Sequence, residues 1–595
     1  MAQIEYSKHT DTVEAKIERL QAARKAGNTD LALSLADSLK DTLSLEYQEQ
    51  RRLPNPVIGA AEFHAFNTLP KDWANWAAGW SFYKVVELFE TVGASRVREP
   101  LEFIAGFRSD QVTDLRREVR LARVNETDGR LREVICQVDD DLRVGNERHC
   151  RITLLADVPM HGRATYLLFY GNPNAELPRY TTDLRTQGAG YGLDVENTHY
   201  RARLSRQMGQ LERMTLKRAE GLELFSGGTG HGEPPTIDWS CDYVDEGGLQ
   251  KLRIRSWAEC PNFEVTKGPL AVRVRRWGFP HSPLHPVFAP AKMHIDQTYT
   301  FYAGQSWFFR EGTMDVISDL QIKAMRDDEW VFSGYSFTDP VWIDRAGKLH
   351  EGPVKRGEEN DMWGVGLFHR DSREAFIALR LEHSATGFSE LKHGGRPSLD
   401  YPHHGQLWAR YPATNANLAP GTSFHQKNAY SIAPYPETGG PETFEAMRHR
   451  LLHPVEIQAG DLPRPNRMTN RGTLARPGET TGTAPLKPAI WKLLREVRDE
   501  QLYHIDGNIV DLGYVYDLRV LDGGIVEVLV TMPHRGRPVH QFLVTSGGGR
   551  VEEGIRDRLM KLNGVREVVV KLAWDPPWNT SRISAAGREE LGLGG

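Results

Sequence analysis

Residues 292 to 316 read KMHIDQTYTFYAGQSWFFREGTMDV, and apolar and polar side chains alternate along both halves of this stretch. Alternation with a period of two is typical of β-strands. The four residues Ala303 to Ser306 separate the two halves and provide the small and polar side chains of a turn. The stretch therefore predicts two antiparallel strands joined by a four-residue hairpin loop.

Symmetric closure of this hairpin would sort its side chains onto two faces of a sheet. One face would carry four cross-strand pairs, which are Tyr302 with Trp307, Thr298 with Glu311, Asp296 with Thr313, and His294 with Asp315. The opposite face would carry Ile295, Tyr299, Phe301, Phe308, Met314 and Val316. We expect the second face to be core, and the first to be either a solvated surface or the polar floor of a binding groove.

Length and composition limit the classes of protein to consider. The 595 residues allow about three to five domains, and 39% hydrophobic with 26% charged residues is ordinary for a soluble globular protein. A net charge of −5 without long Lys/Arg stripes argues against nucleic acid and anionic membranes as partners. Neither a signal peptide nor a run of about 18 apolar residues is present, which favours a cytoplasmic location without a membrane span.

Histidines rather than cysteines are the candidate metal ligands. The four cysteines, Cys136, Cys150, Cys241 and Cys260, have no C-x-x-C spacing, so we expect neither a thiolate site nor disulfides. The histidines of one predicted β-domain include His281, His285, His294, His369, His383, His393, His403, His404 and His425. We consider His403, His404 and His383 as ligands of a divalent metal, although no HxH or HExxH spacing occurs. The alternative is that these histidines are surface or hydrogen-bonded core residues.

Composition and periodicity divide the chain into five segments and predict a mainly β protein. Residues 1–70 are expected to form a helical hairpin and connector, which packs on the body or makes a homo-oligomer. Residues 71–174 have successive strands separated by turns, typical of a smaller β-sandwich. Residues 175–459 would form a large antiparallel β-sandwich, and the Pro- and Gly-rich residues 460–487 a linker. Residues 488–595 alternate between helices and strands, as in a small α/β domain.

Two motifs in the β portion resemble carbohydrate-active proteins. LADVP and YLLFYGNP, between residues 155 and 173, resemble the N-terminal sandwich of exo-rhamnogalacturonan-lyase-like proteins. VENTHYRARLSRQMGQLERM, at residues 195–214, resembles the opening of galactose-mutarotase-like, or supersandwich, β-domains. The resemblance implies a long twisted antiparallel supersandwich whose concave sheet binds sugar, and it assigns no catalytic residue.

The C-terminal segment resembles a different family. NIVDLGYVYDL at 508–518, LNGVREVVVKLAWDPPWN at 562–579 and RISAAGREELG at 582–592 are similar to the small domain of the metal-sulfur cluster assembly family, which includes the phenylacetate-degradation D subunit. In WDPPW two prolines between flanking tryptophans fix a turn after a strand. The family's loop cysteine is absent, because residues 531–538 read TMPHRGRP. We interpret this cysteine-free domain as a docking or assembly domain, with Asp511, His534 or Arg535 on its surface.

Three functional hypotheses follow from these patterns. The first is a lyase that acts by β-elimination on a sugar-derived or polyhydroxylated small molecule in a catabolic pathway. This chemistry needs a base tuned near neutral pH and a cation or dipole for the enolate. His294, Tyr302 or one of the histidines His383, His403 and His404 would be the base. Arg310 or a histidine-bound metal would neutralise the oxyanion, although symmetric closure turns Arg310 to the other face.

The other two hypotheses keep the fold and change the role. A hydrolase or hydratase of small-molecule catabolism would use Glu311 and Asp296 as a carboxylate pair. A non-catalytic carbohydrate-binding or assembly protein would need no such pair. A fold analogy cannot choose among the three, because function lies in the residues of the site.

Limited proteolysis is expected to cut between Gly460 and Lys487 and to release two folded fragments. The segment is rich in Pro, Gly and Thr and offers few apolar side chains to anchor it. Gel electrophoresis and mass spectrometry locate the cut, and circular dichroism reports whether each fragment melts cooperatively. Resistance of the whole segment to protease would contradict a mobile linker.

The C-terminal domain is expected to bind no iron-sulfur cluster. A cluster or a persulfide requires thiolate ligands, and residues 488–595 contain no cysteine. Anaerobic reconstitution followed by visible absorption spectroscopy should show no cluster bands. A stoichiometric cluster would overturn this expectation.

Overall fold

The structure is a computed structural model in which most of the chain is described. The described residues are 3–6, 20–29, 32–33, 36, 57–74, 76–125, 130–218, 223–225, 236–245, 251–254, 260, 262–280, 292–332, 339–355, 357–401, 405–460, 486–498, 507–521, 524–531, 554–573 and 578–591. They form a mainly β structure with several antiparallel sheets, as predicted. No helix in these parts of the chain combines the length and the apolar character needed to cross a membrane.

The N-terminal segment is described only in part. A strand not predicted from the sequence, β1 (Gln3–Tyr6), pairs with a strand of the large domain. Of the predicted helical hairpin, residues 20–25 are helical, residues 26 and 27 form a turn, and a helix begins again at Thr29. This turn separates the two helical pieces, as a helical hairpin requires. The remaining residues of this hairpin lie outside the described residues.

The first sandwich consists of two sheets with an apolar core between them. Its elements are β2 (Val57–Ile58), β3 (His64–Ala65), α1 (Lys71–Ala74), β4 (Phe82–Phe89), β5 (Arg96–Arg108), α2 (Leu115–Glu118), β6 (Arg120–Val124), β7 (Leu131–Val134), β8 (Cys136–Val144), β9 (Glu147–Val158) and β10 (Arg163–Tyr170). One sheet has the order β2-β5-β9-β8 and the other β3-β4-β10-β6-β7. Phe103, Ile152 and Leu168 are among the buried residues between them.

The large sandwich follows. Its elements are β11 (Arg185–Gln187), β12 (Asp194–Glu196), β13 (Tyr200–Leu204), β14 (Leu211–Leu216), β15 (Glu223–Phe225), β16 (Asp242–Asp245), β17 (Lys251–Arg253), β18 (Asn262–Lys267), β19 (Ala271–Gly278), β20 (Met293–Tyr302), β21 (Trp307–Val316), β22 (Leu320–Arg326), β23 (Asp328–Val331), β24 (Asp339–Ile343), β25 (Leu349–Glu351), β26 (Gly364–His369), β27 (Glu374–Thr386), β28 (Gly395–Tyr401), β29 (Gly405–Arg410), β30 (Thr414–Leu418), β31 (Ser423–Pro434) and α3 (Gly440–Leu452). The chain then continues into β32 (Glu456–Ala459).

Among the described residues, one ten-stranded sheet organises the large sandwich. Its order is β1-β18-β19-β20-β21-β31-β27-β26-β24-β25. Three smaller sheets, β11 to β15, β17-β16-β22-β30 and β23-β29-β28, cover one side of it. The main apolar core contains residues of both layers. We call the face toward the smaller sheets the inner face and the opposite face the outer face.

The central hairpin is formed by β20 and β21, and its predicted register is confirmed. His294 pairs with Asp315, Asp296 with Thr313 and Thr298 with Glu311, while the rings of Tyr302 and Trp307 lie 5.6 Å apart. Gly304 in the loop has a φ of 66°, a left-handed conformation that glycine adopts without strain. The predicted core residues Ile295, Tyr299, Phe301, Phe308, Met314 and Val316 are all buried on the inner face.

The first sandwich and α3 cover parts of the outer face. α3 packs through Phe444 against buried residues of the sheet such as Leu379 and Ala429. After α3 the chain returns to the first sandwich, where β32 pairs antiparallel with β4. The first sandwich therefore contains a strand from residues 456–459, which follows the large sandwich in sequence.

The C-terminal domain has the expected α/β order. Its elements are α4 (Leu486–Leu494), β33 (Val515–Leu521), β34 (Ile525–Val530), α5 (Ile555–Leu559), β35 (Glu567–Leu572) and α6 (Ala585–Glu590). β34 pairs antiparallel with β33 and parallel with β35. From the sequence we also expect a strand over residues 509–518, but β33 begins only at Val515. Asn508 Oδ1 accepts hydrogen bonds from Val510 N at 3.1 Å and Asp511 N at 2.9 Å, and these bonds fold residues 508–511 into a turn.

The C-terminal domain also contacts the first sandwich. Arg519 Nη2 donates to the carbonyl oxygen of His161 at 2.9 Å, and Lys571 Nζ lies 5.8 Å from the ring of Phe89. Asp511 accepts hydrogen bonds from Asn508 and Ser584 inside the domain, so it organises the turn rather than a docking surface. His534 and Arg535 lie outside the described residues.

Arg273 joins the large sandwich to the first sandwich. It extends from the outer face of β19 and forms ion pairs with Glu102 and Asp139, and its Nη2 donates to Thr153 Oγ1 at 2.9 Å. Tyr302 donates a hydrogen bond to Glu102 at 2.8 Å. Burial alone would raise the pKa of Glu102, but the charges of Arg273 and Arg151 outweigh it and lower this pKa to about 2.

Substitution Arg273→Met is expected to destabilise the protein by about 3–5 kcal/mol at neutral pH, because it leaves Asp139 buried without its ion-pair partner and leaves Glu102 with Arg151 alone. Urea unfolding measures the difference. Since the folded-state pKa of Glu102 is depressed, its contribution to stability should be lost as pH falls through about 2. The control Arg108→Met removes an exposed pair with Asp110 and should change stability by less than about 0.5 kcal/mol. Equal effects of both substitutions would contradict this assignment.

Candidate functional site

A cleft of about 660 Å³ lies between the outer face of the ten-stranded sheet and the first sandwich. The hairpin supplies much of its floor. The lining residues from the hairpin are Asp296, Thr298, Thr300, Tyr302, Trp307, Phe309, Glu311, Gly312 and Thr313. The walls come from β5, from Arg151 on β9, and from the segment between α3 and β32. The face that the sequence predicted to be a groove or a solvated surface therefore lines a cleft.

Aromatic side chains form an apolar corner of this cleft. The ring centroids of Trp307 and Phe309 are 4.6 Å apart, and those of Tyr302 and Phe309 are 5.9 Å apart. Lys427 Nζ lies 4.8 Å from the centre of the Phe309 ring. Trp307 Nε1 is buried and has no hydrogen-bond partner among the described residues. Trp307 is 1% exposed and Phe309 is half-buried, so Phe309 is the aromatic side chain of this corner that a ligand can contact.

Glu311, His425 and Glu382 form a row across three neighbouring strands. His425 on β31 lies between Glu311 on β21 and Glu382 on β27, with Nε2 3.2 Å from Glu311 Oε1 and Nδ1 3.8 Å from Glu382 Oε2. Glu311 and Glu382 line the cleft, and both are half exposed. The row combines a carboxylate that faces the cleft with an imidazole that can exchange a proton with it.

The pairing between Glu311 and His425 sets the protonation of both groups. Burial tends to lower the pKa of His425, but the hydrogen bond and charge of Glu311, together with Glu382, outweigh it and raise the pKa above its usual value. Burial tends to raise the pKa of Glu311, but His425 and Lys427 outweigh it and lower the pKa. The pair therefore keeps an imidazolium beside a carboxylate up to a higher pH than a free histidine would allow.

A second carboxylate lies close to Glu311. Asp296 receives two hydrogen bonds from Arg275 Nε, at 3.0 and 2.8 Å, and one from its Nη2. This bidentate cation favours the ionised form of Asp296. Asp296 and Glu311 are diagonal neighbours on adjacent antiparallel strands, a position that separates Cα atoms by about 7–8 Å. Two carboxylates thus face one cleft at a short separation.

Charged residues of both signs line the cleft, with an excess of acids. Among the described residues, seven are acidic and five basic: Glu99, Glu102, Asp140, Glu264, Asp296, Glu311 and Glu382, against Arg151, Arg273, Arg275, Lys427 and Arg450. The excess of two acids makes the cleft a poor environment for an anionic ligand.

The structure brings three of the predicted catalytic residues, Asp296, Glu311 and Tyr302, into the cleft. His294 is buried beside the ring of Phe279, at 5.4 Å, and does not line the cleft. Burial lowers the pKa of His294, so its neutral form is favoured. Burial and the charge of Glu102 raise the pKa of Tyr302 well above its usual value, which makes its phenol a poor base.

Arg310 lies on the inner face, as symmetric closure of the hairpin requires. It is fully buried, and its Nε is 3.2 Å from Asp238 Oδ2. It therefore cannot reach a ligand in the cleft on the other side of the sheet.

The described residues contain no group of three or more His, Cys, Asp or Glu side chains arranged to hold a metal ion. His383 lies on the inner face, 3.1 Å from Asp327 Oδ2 and, between Nδ1 atoms, 3.1 Å from His393. Burial and the charge of Arg410 lower the pKa of His383 to about 4. His403 and His404, the other two proposed ligands, lie outside the described residues.

Sequence reasoning missed Arg275, Glu382, His425 and Lys427. Arg275 reaches the site through the pairing of β19 with β20, and the other three through the pairings of β21 with β31 and of β31 with β27, which join segments far apart in sequence. The alternation of residues 423–430, SFHQKNAY, places His425 and Lys427 on one face. That alternation could have shown that His425 and Lys427 share one face of a strand, but not which strands pair with it.

Comparisons with known proteins give relatives for one part of the chain. No protein-family model matches the chain. The Fe-S protein maturation auxiliary factor YitW of Bacillus subtilis (strain 168) is 28% identical over 108 residues, which are 18% of this chain and 95% of that protein. An Fe-S protein maturation auxiliary factor of Porphyromonas gingivalis is 30% identical over 104 residues, which are 18% of this chain and 89% of that protein. These matches have the length of the C-terminal domain.

A solved structure overlaps the remaining body. A protein in glycosyl hydrolase family 38 from Enterococcus faecalis overlaps with 77% of this chain at 12% identity and a TM-score of 0.40. The chain covers 53% of that protein, or about half its length. The resemblance to exo-rhamnogalacturonan-lyase-like proteins stays a prediction.

Proposed function

Since 104 residues of the chain belong to the family of Fe-S protein maturation auxiliary factors, we propose that they form an accessory domain attached to a catalytic β-body. The β-body is a hydrolase that cleaves a glycosidic bond in the cleft between the first sandwich and the ten-stranded sheet. The observation that carries this proposal is the placement of Glu311, in contact with His425, diagonally across from Asp296.

The lining of the cleft supports a neutral polyhydroxylated substrate. Phe309 offers an aromatic ring for the apolar side of a sugar, while Thr298, Thr300 and Thr313 offer hydroxyl groups for hydrogen bonds. The excess of acidic side chains disfavours a uronate or another organic acid. A sugar without a carboxylate therefore fits this lining better than an acidic one.

The two carboxylates support the chemistry of glycoside hydrolysis. Such enzymes use a carboxylate that stabilises an oxocarbenium-like transition state and a second group that protonates the leaving oxygen. Asp296, kept ionised by Arg275, takes the first role. Glu311 is ionised beside the His425 imidazolium and takes the second role as a relay, since its carboxylate accepts the imidazolium proton and passes it to the leaving oxygen, which leaves His425 neutral. Water then attacks the anomeric carbon, and the proton that it loses returns through the Glu311 carboxylate to His425.

β-Elimination is the second candidate, and one observation favours it. The pair of Glu311 and His425 could also take a proton adjacent to a carboxylate, with Lys427 as the nearby cation. His294 and Arg310, which we considered for this chemistry from the sequence, are outside the cleft, and Tyr302 has a raised pKa. The products distinguish the two reactions, since hydrolysis gives a new reducing end and elimination an ultraviolet-absorbing double bond.

The C-terminal domain takes a docking role in this proposal. Its relatives are named as Fe-S protein maturation auxiliary factors, but this copy has no cysteine to hold a cluster. Its contact with the first sandwich through Arg519 supports an accessory domain attached to the body.

Substitution Glu311→Gln is expected to reduce turnover by about two to four orders of magnitude, the usual scale for a positioned acid or base. Its melting temperature should change little, because the side chain is half exposed. A screen of neutral glycosides and uronate-containing oligosaccharides with the wild-type protein first identifies the substrate. Steady-state kinetics and differential scanning fluorimetry then compare the variants.

Two matched variants serve as controls. Glu382→Gln removes the half-exposed carboxylate on the other side of His425 and should lower turnover less than tenfold. His294→Ala should lower the melting temperature without a specific kinetic defect, since His294 is buried outside the cleft. Because His425 must be protonated, activity should fall as pH rises through its raised pKa. Full turnover in Glu311→Gln at an unchanged melting temperature would mean that this face is merely solvated.

A further inference from the structure

One side of the cleft is apolar. Leu451 and Leu452 at the end of α3 and Pro454 after it line the cleft together with Phe309 on its floor. Leu451, Leu452 and Phe309 are half-buried and Pro454 is exposed, so a ligand in the cleft can contact all four. Apolar side chains that stay open on the wall of a ligand cleft favour a ligand with an apolar part.

One buried arginine holds this wall in place. Arg96 on β5 is 1% exposed, and its guanidinium donates hydrogen bonds to the carbonyl oxygens of Arg450 at 2.8 Å and His453 at 2.6 Å. These two residues flank Leu451 and Leu452 in the sequence. The backbone that carries the leucines is therefore attached to the first sandwich on both sides, and the wall is preorganised for a ligand.

The two leucines share an apolar cluster with the floor of the cleft. They pack, together with Phe309, against buried residues that include Trp307 and Leu381. Lys427 Nζ lies over the Phe309 ring, 4.8 Å from its centre. The ammonium covers part of the ring, and the leucines continue the apolar surface beyond it.

The order of residues along β21 puts this apolar surface on one side of Glu311. Phe309 and Thr313 are each two residues from Glu311 on the same face, about 7 Å away in opposite directions. Asp296 pairs with Thr313, so it lies on the side opposite to Phe309. Glu311 therefore separates the carboxylate that faces the anomeric carbon from the apolar surface.

We propose that Leu451 and Leu452 bind the leaving group of the substrate, and that this group is an alkyl or aryl aglycone rather than a second sugar. The inference rests on the proposed glycoside hydrolysis, in which Glu311 passes a proton to the leaving oxygen. With the anomeric carbon toward Asp296, the leaving oxygen lies at Glu311 and the group attached to it extends toward the leucines. Phe309 then borders both the sugar and the aglycone. A cleft of about 660 Å³ has the size of a site for a drug-sized ligand, which leaves room for an aglycone beside the sugar.

Alkyl glycosides of one sugar test the leaving group without changing its chemistry. Methanol and hexanol are leaving groups of similar acidity, so a difference in kcat/KM between methyl and hexyl glycosides reports binding of the chain. For the sugar that the wild-type protein accepts, kcat/KM should be about 10- to 100-fold higher for the hexyl glycoside, because several methylene groups leave water. A disaccharide with the same non-reducing sugar should be a poorer substrate than the hexyl glycoside.

Substitutions in the wall assign this preference to the leucines. In Leu452→Asn, and in the second variant Leu451→Asn, the ratio of kcat/KM for the hexyl over the methyl glycoside should fall at least about fivefold, since an amide loses its hydration beside a hydrocarbon chain. Leu177→Asn replaces a leucine that is 40% exposed and lies outside the cleft, and it should keep the ratio within about twofold. Because both rates of a ratio come from one preparation, partial unfolding of a variant does not change the ratio.

Binding measured without turnover separates this inference from the proposed function. Isothermal titration calorimetry of Glu311→Gln with hexyl and methyl glucopyranosides compares their affinities. The hexyl glucoside should bind about 10- to 100-fold more tightly. The added substitution Leu452→Asn should remove most of this difference, whereas Leu177→Asn should preserve it.

Each result supports or contradicts one of the two proposals. Hydrolysis without a preference for the hexyl chain, with a preference for the disaccharide, or with a hexyl preference that both leucine variants retain would overturn the apolar subsite and leave the hydrolase standing. Hexyl glucoside binding that requires Leu452, without hydrolysis of any glycoside, would contradict the hydrolase and support the apolar subsite. Absence of both hydrolysis and hexyl-dependent binding would overturn both.

Discussion

The ion pairs of Arg273 with Glu102 and Asp139 hold the two sandwiches together beside the candidate site. All three side chains lie between sheets, where an unpaired charge would be costly. Glu102 also accepts a hydrogen bond from Tyr302, which lies at the end of the hairpin. The wall and the floor of the cleft are therefore tied to each other by the charges that line it.

The ten-stranded sheet has charged residues on both of its faces, which is unusual for a strand pattern that alternates between core and surface. The outer face carries Glu311, His425 and Glu382, and the inner face carries Arg310 and Arg380. A β-bulge between Arg380 and Glu382 in β27 turns Arg380 to the inner face and Glu382 to the outer face. Apolar residues such as Phe301 and Phe308 form the core on the inner face.

Local patterns predicted the hairpin and its register, because the two strands are adjacent in sequence and the alternation fixes the faces. The carboxylates Asp296 and Glu311 were therefore found from the sequence. His425 was not, since its position beside Glu311 depends on the pairing of strands more than a hundred residues apart. His294 was expected to be a base in the site but does not line the cleft. Alternation shows on which face of the sheet a residue lies, but not where along the strand the cleft begins. In the C-terminal domain the hydrogen bonds of Asn508 replaced the first residues of an expected strand by a turn.

The most direct test of this account is a crystal structure of the Glu311→Gln variant with the glycoside that the wild-type protein cleaves. The account predicts density for a sugar in the cleft, against Phe309, with the glycosidic oxygen within hydrogen-bond distance of the side chain at position 311. The carboxylate of Asp296 should face the anomeric carbon. A sugar bound on the inner face or on an exposed surface, with the cleft empty, would contradict the account.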